Sequence, residues 1–381
     1  MSMERVFIAG TGMTRFGKHT ETSRELAAEA AIKSLDDSGV VPEEVDELYV
    51  GNFSQNLFEG QGHLGPALYG DIGLRNNIKA TRVESACASG GFALHEAFRA
   101  VKGGFAKTVM VVGVEKMTSK PTPEVTRALA TAGDAFYEAP AGVTFPGYFA
   151  LMANYYLKNL GGTRDDLAEI AIKNHHHASR NPYAQFQKEI DREGYYNSPM
   201  VAYPLCLFDC SPISDGAAAI ILTREKRDIE LLSCESAVSA MGLSERGKDI
   251  SWLDSVEKAA KKAYNVSGVG PKSIDVTEVH DCFTIAEVQH IEALGFYRHG
   301  EGIRAATNRE TYHDGKKPVN TDGGLKAKGH PVGATGVSMA VEIVKQLHEE
   351  ACNQVKGATT GLISNMGGSG PSSVVGIMRR C

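Results

Sequence analysis

Apolar positions along this chain follow two alternating periods. "RVFIAGTG" (residues 5–12) has the branched and aromatic content of a strand. "SRELAAEAAIKSLDDSG" (23–39) has the spacing of an amphipathic helix closed by a glycine. "VDELYVGN" (45–52) predicts a second strand. In "CASGGFALHEAFRAVKGG" (87–104), Leu94, Ala97, Phe98 and Val101 fall at i, i+3, i+4 and i+7, which predicts a helix ended by Gly103 and Gly104. "TVMVVGVEKM" (108–117) is apolar enough for a central strand. From about 118 to 207 the pattern gives way to aromatics, prolines and polar residues, with helical spacing only around 148–160 and 165–179. That stretch reads as an inserted, mostly helical loop domain. "SDGAAAIILTREK" then returns to a buried strand, and "KRDIE" (226–230) forms a seam.

The second half repeats the first in outline. "VTEVHD" predicts a strand, "CFTIAEVQHIEALG" a helix ended by Gly295, and "ISNMGGSGPSSVVGIM" two strands joined by a glycine turn. "GHPVGATG" precedes a helix with Val337, Ala340, Val341 and Val344 on one face. Two junctions stand half a chain apart, "RVESACASGGFALHEAF" and "EVHDCFTIAEVQHIEAL". Each puts a cysteine at a strand end before a helix. This suggests an internal duplication into halves 1–227 and 228–381, with both cysteines facing one cleft. The alternation predicts an α/β fold with helices covering a mixed sheet.

Composition narrows the classes of function. A net charge of −6 over 381 residues gives no general attraction to nucleic acid or to an anionic membrane. The longest apolar runs are too short for a transmembrane helix, and no leader pattern is visible, so a cytoplasmic protein is expected. Seven scattered cysteines argue against a disulfide framework. Cys206 and Cys210 lack the second pair that zinc requires, and no metal site is expected.

Several residues carry candidate chemistry. Cys87 precedes a helix, whose N-terminal N–H groups and dipole favour a thiolate, and its own N–H can serve an oxyanion. A buried structural thiol fits that stretch equally well. His330, between Gly329 and Pro331, can act as a base toward a thiol or donate to a thioester oxygen. Lys326 and Lys328 are compatible with phosphate contacts or with a solvated basic loop. His280 and Cys282 are two apart, so in a strand they point the same way. His175, His176 and His177 lie on one helix but point in different directions, which favours packing over a metal site. "GTGMTRFG" has the wrong glycine spacing for dinucleotide binding.

Cys87 in "VESACASGG", "HDCF" at 280–283, "GGLKAKGHPVGATG" at 323–336 and "NMGGSG" at 365–370 together resemble the motif set of the thiolase superfamily. "GTGMTRFG", "NPYAQF" and "SPISDGAAAIIL" belong to the same ordered set. The H-D-C-F branch, of sterol-carrier-protein type and archaeal or bacterial acetyl-CoA acetyltransferases, is the most similar. The resemblance implies a duplicated five-layer αβαβα fold, coenzyme A thioester substrates and no permanently bound cofactor. It implies Cys87 as the acylated nucleophile, His330 as its activator and His280 as an oxyanion donor. It further implies a second oxyanion hole from the backbone N–H groups of Cys87 and Gly367. Asn365 stands where better-known thiolases have their second cysteine, a role the resemblance gives here to Cys282. Lys328, Asn365 and Phe283 are further candidates for substrate binding. The implied partners are a second copy or a tetramer, hydroxymethylglutaryl-CoA synthase, and a small zinc-ribbon/OB-fold protein. The rival readings are a decarboxylating ketosynthase built on Cys87, His280 and His330, and a non-catalytic acyl-CoA-binding subunit.

Overall fold

The computed structural model describes residues 4–75, 78–247 and 249–381. The chain begins with β1 (Phe7–Met13), α1 (Ser23–Ser38), β2 (Glu47–Gly51), α2 (Gln55–Phe58), α3 (Leu64–Asp71), β3 (Lys79–Val83), α4 (Ser89–Lys102) and β4 (Thr108–Lys116). Four helices follow, α5 (Thr122–Ala130), α6 (Phe145–Asn159), α7 (Arg164–Ala178) and α8 (Arg192–Asn197), then a short hairpin of β5 (Met200–Ala202) and β6 (Leu205–Cys206). After β7 (Asp215–Thr223) come β8 (Ile229–Val238), α9 (Asp254–Ser267), β9 (Val276–Val279) and α10 (Thr284–Ala293). The chain ends with α11 (Gly324–Ala327), α12 (Thr335–His348), β10 (Thr360–Gly367) and β11 (Ser372–Arg380).

Local signals explain the boundaries. The Thr22 side chain accepts from the Glu25 N–H while the Glu25 carboxylate accepts from the Thr22 N–H, a capping box that starts α1. Gly39, at φ 67°, ends it in the left-handed conformation that glycine adopts without a Cβ clash. Strands β4 and β7 are buried along their whole length, so their continuous apolar runs have core on both faces.

Nine strands form one sheet in the order β3-β2-β4-β7-β1-β8-β11-β10-β9. The duplication is written in that order. In the first half, β1 pairs antiparallel with β7, β7 antiparallel with β4, and β4 parallel with β2. In the second, β8 pairs antiparallel with β11, β11 antiparallel with β10, and β10 parallel with β9. A parallel bridge between Thr277 and Val319 takes the place that β3 occupies beside β2. The halves join where β1 meets β8 over two residues. Helix α1 covers one face of the first half and α9 one face of the second, while α4 and α12 pack together and touch strands of both halves. These are the alternating layers expected of the duplicated fold.

The strand order corrects one expectation. Cys87 follows the third strand of its half, whereas Cys282 follows β9, the second strand of its own. Cys282 therefore matches the segment after β2, and the partner of Cys87 in the repeat is the loop before α12, which carries His330. The helix expected from Cys282 starts at Thr284, so residues 280–283 form an irregular connection between β9 and α10.

Glycines let the central helices approach closely. A Cβ on Gly336 would stand 2.3 Å from the Gly91 nitrogen, and one on Gly90 would stand 2.6 Å from the Gly333 oxygen. Two backbones in contact bring the N-terminal ends of α4 and α12 to one point.

Candidate active site

Cys87 sits in a tight elbow between β3 and α4. Ala86 has φ 50°, a left-handed conformation that a residue with a Cβ adopts only when its surroundings hold it. The Glu84 carboxylate accepts from the Ala86 N–H at 2.6 Å, and the Ser89 hydroxyl donates to the Ala86 carbonyl at 2.6 Å. The elbow turns the thiol to a pocket of about 170 Å³, lined by Leu129, Phe145, Ile213, Val332, Phe283 and Cys210 among others. A larger surface cleft of about 740 Å³, around Arg24 and Asp71, contains no cysteine or histidine.

His280, Cys282 and His330 converge on this elbow. The Cys87 sulfur and one ring nitrogen from each histidine lie within 4.8 Å of one another, and the two rings meet edge to face with centroids 4.8 Å apart. His330 is held by its backbone, whose N–H donates to Ser214 Oγ at 2.9 Å, and by Nδ1, 2.7 Å from Thr335 Oγ1. Since the Thr335 hydroxyl donates to the Pro331 carbonyl at 3.0 Å, it accepts from His330 Nδ1–H, and Nε2 keeps its lone pair. His280 donates its backbone N–H to the Ser364 carbonyl at 2.9 Å. Cys282 is 6% exposed and lines the same pocket. Its carbonyl accepts from the Ser211 N–H, and the neighbouring Phe283 bridges antiparallel to Cys210. The only group of three or more His, Cys, Asp or Glu side chains spaced to hold a metal, among the described residues, is Cys87, His280 and His330.

Burial sets the resting charges. It pushes the Cys87 thiol up to about 12, against a smaller lowering by the Gly368 N–H, and raises Cys282 as well, helped by nearby Cys87. It pulls His330 down to about 3 and His280 well below the usual imidazole value. The resting pair is a neutral thiol beside a neutral imidazole. The thiolate expected from the helix N-terminus is not preformed, because desolvation outweighs the backbone N–H groups of Gly368 and Cys87 that favour it.

Three expected substrate contacts are revised. Lys328 is buried and its ammonium pairs with Asp322 and reaches Ser338 Oγ, so it faces no ligand phosphate. Lys326 is buried against Asp281, whose carboxylate also accepts from Asn174 and from the Leu325 N–H at 2.7 Å. That assigns Asp281 to anchoring the 280–283 connection. Asn365 is fully buried with both ends of its amide engaged by protein, to Gly91 and Cys87 backbone and to His280, so its polar atoms are already taken. Phe283 does line the pocket, stacked on Phe149 with centroids 4.5 Å apart. A backbone N–H of Gly368 acts on the Cys87 sulfur, and Gly367, the expected second oxyanion donor, is the last residue of β10, directly before it.

Sequence reasoning missed Cys210. Its thiol donates to the Cys206 carbonyl and its side chain lines the pocket, a placement made by the bridge to Phe283 that no local pattern announces. The three histidines on α7 pack as expected. His175 lies against Phe186 and Phe208, His176 meets Glu189, and His177 Nδ1 meets the Asn320 carbonyl. None of them lines the Cys87 pocket.

Comparison with known proteins agrees with this architecture along the whole chain. Residues 6–226 match the family described as "Thiolase, N-terminal domain", and residues 236–380 match "Thiolase C-terminal domain-like". The chain is 44% identical to an acetyl-CoA acetyltransferase of Methanothermobacter thermautotrophicus, over 99% of this chain and 100% of that protein. It is 38% identical to an acetyl-CoA acetyltransferase of Methanocaldococcus jannaschii, over 99% of each. The solved structure described as "Ltp2-ChsH2(DUF35) aldolase" superposes with a TM-score of 0.85, covering 100% of this chain and 99% of that one at 23% identity, which shows the fold alone. With a cysteine elbow and a glycine-bound histidine loop at matching places in two repeats, and with both family halves matched, the chain belongs to the thiolases and is an acyltransferase of that family.

Proposed function

We propose that this thiolase is an acetyl-CoA C-acetyltransferase, joining two acetyl-CoA molecules into acetoacetyl-CoA and cleaving 3-ketoacyl-CoA in reverse through an acyl-Cys87. The observation that carries the reading is that Cys87, Cys282 and His330 line one apolar pocket and that His280 stands within 4.8 Å of Cys87 and His330 behind it. The first step passes the Cys87 proton to His330 Nε2, the sulfur attacks the thioester carbon, and the carbon–sulfur bond to coenzyme A breaks. The departing thiolate takes the Cys282 proton, leaving a Cys282 thiolate beside a His330 imidazolium. That thiolate removes a proton from the methyl group of a second acetyl-CoA. His280 and His330 hold the enolate oxygen, and the carbanion attacks acyl-Cys87. The Cys87 thiolate so released recovers its proton from His330. Each aimed donor on the enolate contributes roughly 3–4 kcal/mol to the transition state. The N–H groups of Cys87 and Gly367 hold the oxyanion at the acyl carbon.

Coenzyme A thioesters are the substrates, with no permanently bound cofactor. Strand β3, at the sheet edge, supports pairing of two copies through the N-terminal half. Hydroxymethylglutaryl-CoA synthase and a zinc-ribbon/OB-fold protein remain proposed partners. Co-purification that returned only the homo-oligomer would count against them.

The test is Cys282→Ala. Condensation and thiolysis should be lost, while mass spectrometry after acetyl-CoA still finds acetyl on Cys87, because the His330 imidazolium can protonate the departing coenzyme A thiolate in place of Cys282. Thiolysis at the wild-type rate, or no acyl-enzyme, would sink the assignment. A decarboxylating ketosynthase needs no carbon-acid base. Release of carbon dioxide from a malonyl thioester, undiminished in the Cys282 variant, would favour that second reading.

A further inference from the structure

The amide of Asn365 is fixed by two backbone groups whose roles cannot be exchanged. Its Oδ1 accepts from the Gly91 N–H at 3.2 Å, and its Nδ2 donates to the Cys87 carbonyl at 3.2 Å. The remaining Nδ2 proton points to His280 Nδ1, 3.0 Å away. A carboxamide nitrogen only donates, so Nδ1 of that ring accepts and the ring proton sits on Nε2. His280 Nε2 is buried and has no protein partner. A buried donor left open in this way is costly, and the ring that carries it packs edge to face against His330 with one nitrogen within 4.8 Å of the Cys87 sulfur.

We infer that Asn365 is a positioning residue, holding His280 as the Nε2–H tautomer so that the ring offers the pocket a donor that cannot turn into a base. The neighbouring ring has the opposite tautomer, because Thr335 takes His330 Nδ1–H. One side chain at position 365 thus ties together α4, the nucleophile's carbonyl and the oxyanion donor. It also divides the two histidines into a resting donor and a resting acceptor. The inference rests on the proposed enolate-holding role of His280, and its first measurement does not depend on activity.

In ¹⁵N-histidine-labelled full-length enzyme at neutral pH, with His280→Ala used to assign the signals, His280 should show a protonated Nε2 and a bare Nδ1. A proton on Nδ1 in the wild-type protein overturns the inference without any Asn365 variant. Asn365→Asp keeps the size and the acceptor for Gly91 but loses both donors. It should move the His280 proton to Nδ1 and lower kcat for acetoacetyl-CoA thiolysis by about 100-fold with KM within about threefold. Acetylation of Cys87 should persist. In the His280→Ala background the same substitution should cost less than about threefold further, since the donor it orients is already gone. An unchanged tautomer in Asn365→Asp, or the full loss in the His280→Ala background, would leave Asn365 as a mere tie between helix and strand. Absence of any acyl-Cys87 in the wild-type enzyme would instead sink the acetyltransferase reading while the tautomer measurement still stood.

Discussion

Cys87 stands just before the N-cap of α4, where backbone N–H groups favour a thiolate, and yet burial holds it as a thiol at neutral pH. Cys210, Cys234 and Cys282 are raised for the same reason. The sign of the resulting pH dependence follows directly. Each thiol has a folded pKa above its ordinary value of 9.0, so its contribution is complete below that value. As pH rises further, the unfolded chain releases protons that the folded one keeps. Stability should therefore fall above about pH 9 by roughly 1.4 kcal/mol per pH unit for each such thiol. Of the buried lysines, Lys173 is lowered and pulls the other way, which four thiols outnumber. Denaturant unfolding between pH 8 and 10.5 checks this, and a level or rising free energy would refute it. At this scale the sequence made Cys87, His280, Cys282 and His330 visible because each lies in a short motif. The bonds of Asn365 and the place of Cys210 were not visible. They depend on contacts such as Asn365 with Gly91, 274 residues apart, whose geometry no local spacing encodes.

Among the elements, the helical and strand periods located nearly every segment that frames the site. They failed at residues 280–283, where "HDCF" continues both an extended and a helical pattern and tertiary contacts from Ser211, Leu325 and Lys326 decide. The duplication was legible, but matching cysteine to cysteine aligned the wrong junctions. Only hydrogen-bond register reveals that β3 corresponds to the bridge at Val319. The meeting of α4 and α12 is the element-scale feature on which the site depends. Gly336→Ala places a methyl group against the Gly91 backbone, where no side chain can move aside. Overpacking of this kind costs about 1–3 kcal/mol of stability. The thiolysis rate should fall by a larger factor than stability accounts for, because the shift separates Cys87 from His330. Paired measurement of kcat and unfolding free energy decides it, and wild-type kcat in a destabilised Gly336→Ala enzyme would contradict it.

At the scale of the whole molecule, the proposed site draws on both halves, Cys87 from the first and His280, Cys282 and His330 from the second. What joins the halves in sequence is an exposed connection between β7 and β8, around Glu225 and Lys226. What joins them in space is the buried contact of α4 with α12 and the shared strands. Cleavage at a protease site inserted in that connection should leave a nicked enzyme that co-elutes as one species and keeps most of its activity. Dissociation of the two fragments in native buffer would show that the covalent link, not the packing, maintains the site. Among the described residues no helix is long and apolar enough to cross a membrane.

The glycine contact between the central helices has a thermal meaning. Where two backbones touch, no side-chain rotamer lies between them to absorb motion. The separation of Cys87 and His330 is then set by backbone contact rather than by side-chain packing. Rearrangement of the inserted helices that line the pocket, through Leu129 on α5 and Phe145 on α6, should therefore leave the spacing of Cys87 and His330 unchanged.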